Sequence, residues 1–99
     1  MLQIRIIKSQ RDIVSICDSS LIGKKFEEGK YQLDLKESFF LGKEVDREAS
    51  ENILIKMAIE DATFYIVGEE AVKAATNAGI IEERSIKYTC GIPFVLVLL

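Results

Sequence analysis

The stretch that decides the fold is VSICDSSLIGKKFEEGKYQLDL, which runs from Val14 to Leu35. It joins the end of one predicted strand, Asp12–Asp18, to a second, Lys30–Leu35, through a polar break and a glycine-punctuated connection. The first strand has apolar residues on both faces, which is typical of a central strand covered on both sides. The second alternates, which predicts one buried face and one wet face. Its inward residues would be Tyr31, Leu33 and Leu35, and its outward residues Gln32, Asp34 and Lys36.

The polar break Asp18, Ser19 and Ser20 carries side chains that bond to nearby backbone amides, so we expect it to cap a turn of helix at Leu21 and Ile22. Upstream, Leu2–Lys8 alternates as a strand, and its short polar link to the next strand predicts an antiparallel hairpin.

Downstream, apolar residues recur every four positions over Arg47–Ile59, which predicts an amphipathic helix with Asp46 as its N-cap. The remaining predicted elements are an apolar loop at Ser38–Gly42 whose Phe39 and Phe40 cover the core, a strand at Thr63–Val67, a helix from Glu69 to Ala78 that stops at Gly79, a strand at Ser85–Tyr88, and a final strand at Phe94–Leu99 with Pro93 at its start. The order β-β-β-α-β-α-β-β predicts a single α+β domain over residues 1–99, with a mixed, mostly antiparallel sheet of five to six strands and two helices packed on it.

Composition excludes several classes of function. The chain has 99 residues, 13 basic and 16 acidic, and a net charge of −3, so it is not a general nucleic-acid binder. It has no histidine, which removes Ser-His-Asp and Cys-His catalysis within one chain. Two cysteines cannot supply four zinc ligands, and we expect no metal and no cofactor. Cys17 and Cys90 are either two free thiols or a disulfide between adjacent strands.

The two ends of the chain bear on location and assembly. No signal-peptide pattern is visible, and the apolar tail from Phe94 to Leu99 is far too short to span a bilayer, so we expect a cytoplasmic protein without membrane contact. The same tail, FVLVLL, would need a partner if it formed an open sheet edge. In that case a third possibility is a homodimer through the C-terminal strand.

Three segments together resemble a known family. They are ICDSSLIGKKFEEGKYQLDL, FYIVGEEAVKAATNAGII and GIP, which span Ile16–Leu35, Phe64–Ile81 and Gly91–Pro93. In the order and spacing of their glycines they resemble the archaeal family called domain of unknown function 424. The resemblance implies a small single domain, an archaeal source and a gene neighbourhood of translation factors, but no activity. The motif positions that carry it are Cys17, Asp18, Gly23, Lys24, Glu28, Gly29, Gly68, Glu69, Gly79, Gly91 and Pro93. Phe94 departs from the family, which tends to have a histidine there.

Three groups of residues have chemical potential. Gly68 between a strand and a helix is typical of phosphate sites, but Glu69 and Glu70 would repel a phosphate and instead favour the helix dipole. Asp18, Glu27 and Glu28 are the carboxylates that a metal or acid–base site would use, although Glu27 and Glu28 fit a solvated face equally well. Lys24, Lys25 and Lys30, interleaved with Phe26 and Tyr31, form the best basic-aromatic patch for RNA or another partner. The alternative is a plain surface, because Tyr31 falls on the predicted inward face and Phe26 fits the core.

The sequence therefore favours a non-enzymatic binding or accessory module, and the family resemblance implies a setting in translation or RNA metabolism. The alternative is a small-ligand or metal-dependent enzyme that uses Asp18, Glu27, Glu28 and Lys24. A bound metal or a pocket that joins those residues would favour the enzyme.

Overall fold

A computed structural model describes residues 1–98. In chain order the elements are β1 (Leu2–Ile7), β2 (Ile13–Asp18), β3 (Lys25–Glu28), β4 (Tyr31–Asp34), α1 (Glu37–Phe40), β5 (Lys43–Val45), α2 (Arg47–Ile59), β6 (Thr63–Val67), α3 (Glu69–Asn77), β7 (Lys87–Thr89) and β8 (Ile92–Val97). Two short 3-10 turns, Ser19–Leu21 and Glu83–Ser85, interrupt the connections.

Six strands form the main sheet in the order β5-β1-β2-β6-β8-β7, and β3 and β4 form a separate two-stranded sheet. Among the described strands, β2 and β6 pair in parallel and the other pairs are antiparallel. The predicted α+β fold with a mixed, mostly antiparallel sheet is confirmed, as is the central position of β2.

Both faces of the main sheet are covered, which explains the two-sided apolar pattern of β2. On one face α2 and α3 pack over a core that includes Val14, Ile16 and Leu54, each fully buried. On the other face the β3–β4 hairpin and α1 close a smaller cluster. The buried members of that cluster are Cys17, Leu35, Phe40 and Val67.

The ends of the two long helices are set by local chemistry. The carboxylate of Asp46 accepts a hydrogen bond from the Ala49 amide at 2.8 Å, which confirms the predicted N-cap. At the end of α3 the amide of Ile80 donates to the Ala75 carbonyl at 3.1 Å, and the amide of Gly79 donates to the Thr76 carbonyl at 3.0 Å. These bonds complete the predicted glycine stop.

The connection before β4 was misread. It contains a strand, β3, which pairs with β4 from Lys25↔Asp34 to Glu28↔Tyr31. The assignment of Tyr31 to the core is wrong, because its side chain is 68% exposed. Tyr31 lies on the same face of the hairpin as Leu33. It is next to the hairpin turn, however, where the main sheet no longer covers that face.

Other differences from the predictions are smaller. The apolar loop contains the short helix α1, and Phe39 packs edge-on against Phe40 and Tyr65, so both phenylalanines do cover the core. Strand β5 was missed, and β7 and β8 begin about two residues away from their predicted starts. Pro93 is the second residue of β8, and the predicted last strand residue, Leu99, lies outside the described range. In residues 1–98 no helix is long and apolar enough to cross a membrane.

Candidate functional site

The motif residue Asp18 is bound to the N-terminus of α3. Its Oδ1 accepts a hydrogen bond from the Ala71 amide at 2.8 Å, and its Oδ2 accepts one from the Glu70 amide at 3.2 Å. The expected cap of the adjacent turn is wrong, because that turn has no side-chain cap. Asp18 instead satisfies two amides more than 50 residues away, which no local pattern could show.

Gly68 makes this contact possible. Its φ of 109° lies in a region that other residues rarely adopt. A Cβ at this position would lie 2.5 Å from Oδ1 and 2.7 Å from Oδ2 of Asp18. The Asp18 carboxylate thus occupies the place that a phosphate would take at the helix N-terminus, and this supports the structural interpretation of Gly68.

The electrostatics of Asp18 reflect its crowded position. Burial raises the pKa of the Asp18 carboxyl, the bonds from Ala71 and Glu70 amides oppose that rise, and the negative side chains of Glu70 and Glu69 add to it. Glu70 is partly neutralised by the amino group of Met1 at 3.3 Å. The site is arranged to hold a helix rather than to bind an anion.

Asp18 forms a joint between two elements, that is, a carboxylate of one element that accepts hydrogen bonds from backbone amides of another. A second joint of this kind connects the hairpin to the main sheet. The Glu28 carboxylate accepts a hydrogen bond from the Cys90 amide at 2.9 Å, and the Cys90 thiol lies 3.2 Å from the Glu27 carbonyl oxygen. Cys90 and Gly91 form the two-residue turn between β7 and β8, with φ of 52° and 75°. Positive φ at both positions is typical of a type I′ hairpin turn. This turn signal, X-Gly between two short strands, was available in the sequence and was missed.

Both cysteines are free. The disulfide alternative is wrong because β6 and β8 separate β2, which carries Cys17, from β7, which leads into Cys90. Three strand spacings are roughly 14 Å, beyond the reach of a disulfide. Burial raises the pKa of the Cys17 thiol to about 12, and the Asp18 carboxylate contributes. Cys90 is exposed.

The three candidate carboxylates are not directed at a common point. Asp18 binds α3, Glu28 binds the Cys90 amide, and Glu27 lies 3.3 Å from the ammonium of Lys25. Within residues 1–98, no group of three or more Cys, Asp or Glu side chains is arranged to hold a metal ion. The geometry therefore gives the enzyme alternative no assembled site.

The three candidate lysines are exposed, but they are spread along the hairpin. Lys30 lies in the turn at the tip, and Lys24 lies at the base, where its carbonyl accepts a hydrogen bond from the Leu35 amide at 2.9 Å. At about 3.3 Å per residue the two are roughly 15 Å apart. Lys24 and Lys25 are consecutive, so their side chains point to opposite faces of an extended strand. Among the candidate residues, Lys30 and Tyr31 are adjacent in sequence and both exposed.

Most motif positions meet at one end of the main sheet. Gly68 contacts Asp18 and donates its amide to the Pro93 carbonyl at 2.9 Å, which links β2, β6 and β8 there. The motif positions at this end are Cys17, Asp18, Gly68, Glu69, Gly91 and Pro93, together with Glu28 and Gly29 of the hairpin. Gly23 and Lys24 lie at the base of the hairpin, and Gly79 lies at the far end of α3. Phe94, the departure from the family, packs in the cluster beneath the hairpin.

This geometry defines a small α+β domain in which two joints hold a helix and a hairpin onto one sheet. The family model described as protein of unknown function (DUF424) matches residues 7–99, and the chain belongs to this family. The expected family resemblance is confirmed.

One solved structure shares the whole fold. It is the crystal structure of an uncharacterized conserved protein from Methanopyrus kandleri, with a TM-score of 0.86 and 20% sequence identity. The match covers 97% of this chain and 89% of the other. A comparison with curated proteins finds no significant match.

Proposed function

We propose that this protein is a non-enzymatic binding module of archaeal cytoplasm that contacts single-stranded RNA through the tip of the β3–β4 hairpin. The observation that carries the proposal is the exposure of Tyr31, 68%, directly beside the exposed Lys30. An aromatic ring next to an ammonium group is the combination that base stacking and phosphate contact require.

The rest of the hairpin supports a short track for a phosphate backbone. Lys24 and Lys25 lie toward the base and point to opposite faces, so each extends the contact from the tip along a different face of the hairpin. The Lys25 ammonium must leave Glu27 to take part, so its contribution is the smallest. A net charge of −3 over the chain makes the binding local, modest in affinity and sensitive to salt.

The cellular setting that we propose is translation or RNA metabolism. Its support is the gene neighbourhood of translation factors that the family resemblance implies, together with the hairpin surface. The enzyme alternative has no comparable support, because Asp18 and Glu28 are both engaged in holding the fold.

Fluorescence polarisation with a labelled mixed-sequence RNA of about 20 nucleotides, at about 50 and 200 mM salt, tests the surface directly. Y31A should lower the affinity about 5- to 100-fold, the usual range for one lost base stack, with the salt slope unchanged. K24A/K25A/K30A should weaken binding and reduce the slope by up to roughly 2, since each lysine contributes about 0.7 on a single strand.

The matched control is K43A/K56A/K73A, which removes three exposed lysines outside the hairpin. Equal loss in the two triple variants would mean that only overall charge matters, and the proposed surface would be wrong. No binding at low salt would remove RNA as the partner.

A tagged pull-down from native archaeal lysate, with and without nuclease, tests the setting. Ribosomal proteins or translation factors that disappear with nuclease support RNA-bridged contact. Recovery that survives nuclease would replace RNA with a protein partner, and failure to recover any specific component would contradict the proposed setting.

A further inference from the structure

Strand β8 has two different edges. Along one edge it pairs with β6 from Phe94 to Val97. Along the other its ladder with β7 ends at the pair Lys87↔Phe94. The chain before β7 forms the 3-10 turn Glu83–Ser85, which is not part of the ladder with β8. The second half of β8 therefore has an open edge, although the C-terminal strand as a whole is interior to the sheet.

The alternation of hydrogen bonds identifies the groups at this open edge. The Pro93 carbonyl accepts from the Gly68 amide, so odd-numbered residues of β8 face β6. The N–H and C=O of Leu96 then face the open side, where the described residues offer no strand partner. An unpaired edge of this kind is a template for another strand.

Apolar side chains and empty space accompany the open edge. Leu96 is 47% exposed and Leu98, just beyond the strand, is 68% exposed. A cavity of about 490 Å³ lies on one side, lined by Arg84, Ser85, Lys87, Phe94, Val95 and Leu96. A second cavity of about 490 Å³ adjoins the same strand and is lined by the loop after α3 and residues 95–98. An added strand would direct alternate side chains to the two faces of the sheet, and the cavities leave space beside β8 for such a strand.

We propose that this open edge pairs with the same edge of a second copy of the chain, antiparallel about a two-fold axis. Pairing centred on Val97 sets Leu96 of one copy opposite Leu98 of the other. The exposed leucines of both copies then cover one another, and each Leu96 gains backbone partners. The edge is thus complementary to itself, as an isologous interface requires.

The neighbouring strand restricts the register. Pairing centred on Leu96 would place Leu98 of the second copy opposite Phe94, where Lys87 already lies. The overlap is therefore short, and its buried area falls below that of standard stable interfaces. We expect a dissociation constant on the order of 10–100 μM.

The arrangement has a consequence for the hairpins. Antiparallel pairing at an edge has its two-fold axis perpendicular to the sheet, so both β3–β4 hairpins lie on the same face of the joined sheet. If the hairpin tip binds RNA, as proposed above, a dimer offers two tips to one strand and gains avidity. The test of self-association does not depend on RNA.

Sedimentation equilibrium of the full chain from about 10 μM to 1 mM tests the dimer. We expect the average mass to rise from monomer toward dimer across this range. L96K places a charge next to the centre of the pairing, opposite Leu98 of the second copy, and should weaken association at least tenfold, because edge lysines block strand addition. The matched control is I59K, which changes a 78% exposed isoleucine on α2 in the same way and should leave association unchanged.

Circular dichroism checks that L96K folds, and L98K, outside the regular strand, should weaken association without disturbing β8. Amide hydrogen exchange gives a second measurement, since the Leu96 amide should be protected at high concentration and exchange rapidly at low concentration. A monomer at 1 mM, a dimer that L96K and L98K leave intact, or equal loss in I59K would each overturn the proposal.

Discussion

The main sheet and the β3–β4 hairpin differ in how they are held. In the main sheet, Phe64 and Ile66 are 0–1% exposed beneath two helices. In the hairpin, Phe26 and Leu33 are only half-buried, and Tyr31 is 68% exposed. The buried residues of the main sheet therefore contribute most of the stability, whereas the hairpin presents exposed lysine and tyrosine side chains to solvent.

Each region depends on one carboxylate joint. Asp18 connects β2 to α3 inside the main layer, and Glu28 connects the hairpin to the Cys90 turn. Because the first joint is central and the second peripheral, breaking them should have different consequences. The first should destabilise the whole fold, and the second should open only the hairpin.

The largest effect is expected from Gly68→Ala. The new Cβ would collide with the Asp18 carboxylate and require a φ that alanine resists, which displaces Asp18 from α3. Strain and loss of the cap together should cost about 2–5 kcal/mol in urea unfolding. In the double variant D18A/G68A the collision is gone, so the combined loss should be smaller than the sum. If the two losses of stability are additive, Gly68 does not serve to make room for the Asp18 carboxylate.

Asp18→Ala should cost about 1–2 kcal/mol, because two amides at the start of α3 lose their acceptor. The Glu28 joint should be intact, so hydrogen exchange of the Cys90 amide, which donates to the Glu28 carboxylate, serves as the control. A loss below about 0.5 kcal/mol would mean that water replaces the carboxylate without cost.

The pH dependence of the same joint has a definite sign. The pKa of Asp18 in the folded protein is raised above the ordinary 3.8. Protonation of this carboxyl therefore adds to the free energy of unfolding, fully below pH 3.8, and this contribution is lost as the pH rises through the pKa of the folded protein. The free energy of unfolding of the wild type, relative to that of D18N, should therefore fall over this window. Carbon-13 titration of the carboxyl checks the pKa directly. E70Q removes a like charge and should lower it.

The parts of the fold that sequence patterns predict are those decided by near neighbours. Helix α2 was predicted with its correct bounds because its cap and its apolar period are local. Strand β6 was recognised from its run of β-branched and aromatic residues, and β2 from the apolar residues on both of its faces. Strand β3 was missed because KFEE is mostly charged, and it pairs only with a second exposed strand.

The candidate site could be predicted only as a set of positions. Asp18 and Gly68 were both identified, but their contact joins residues 50 apart through the parallel pairing of β2 and β6. Local periodicity contains no information on that pairing. Tyr31 was placed in the core for the same reason, since alternation predicts the face of a residue but not how far the covering layer extends.

Glu28→Ala should cost about 1 kcal/mol or less in global unfolding, yet it should open the hairpin. Cys17 reports this opening, because it lies in the cluster beneath the hairpin and its pKa of about 12 keeps it unreactive while covered. Labelling with a thiol reagent in C90S should be slow, and E28A should accelerate it severalfold. E44A, which removes an exposed carboxylate on β5, is the control and should leave the rate unchanged. If Cys17 is labelled at the same rate in E28A/C90S and in C90S, the Glu28–Cys90 contact does not hold the hairpin on the main sheet.

The smallest effect on stability is expected from Lys25→Ala. The Lys25–Glu27 pair is 3.3 Å long, and both side chains are more than half exposed, so its loss should change the free energy of unfolding by less than about 0.5 kcal/mol. The same reasoning bears on RNA, because a lysine already near a carboxylate gains least from a phosphate. K25A should therefore reduce RNA affinity less than K30A, whose side chain lies at the tip beside Tyr31. If K25A reduces affinity more than K30A, RNA would follow the outer face of the hairpin rather than its tip, and the exposed ring of Tyr31 would no longer mark the contact.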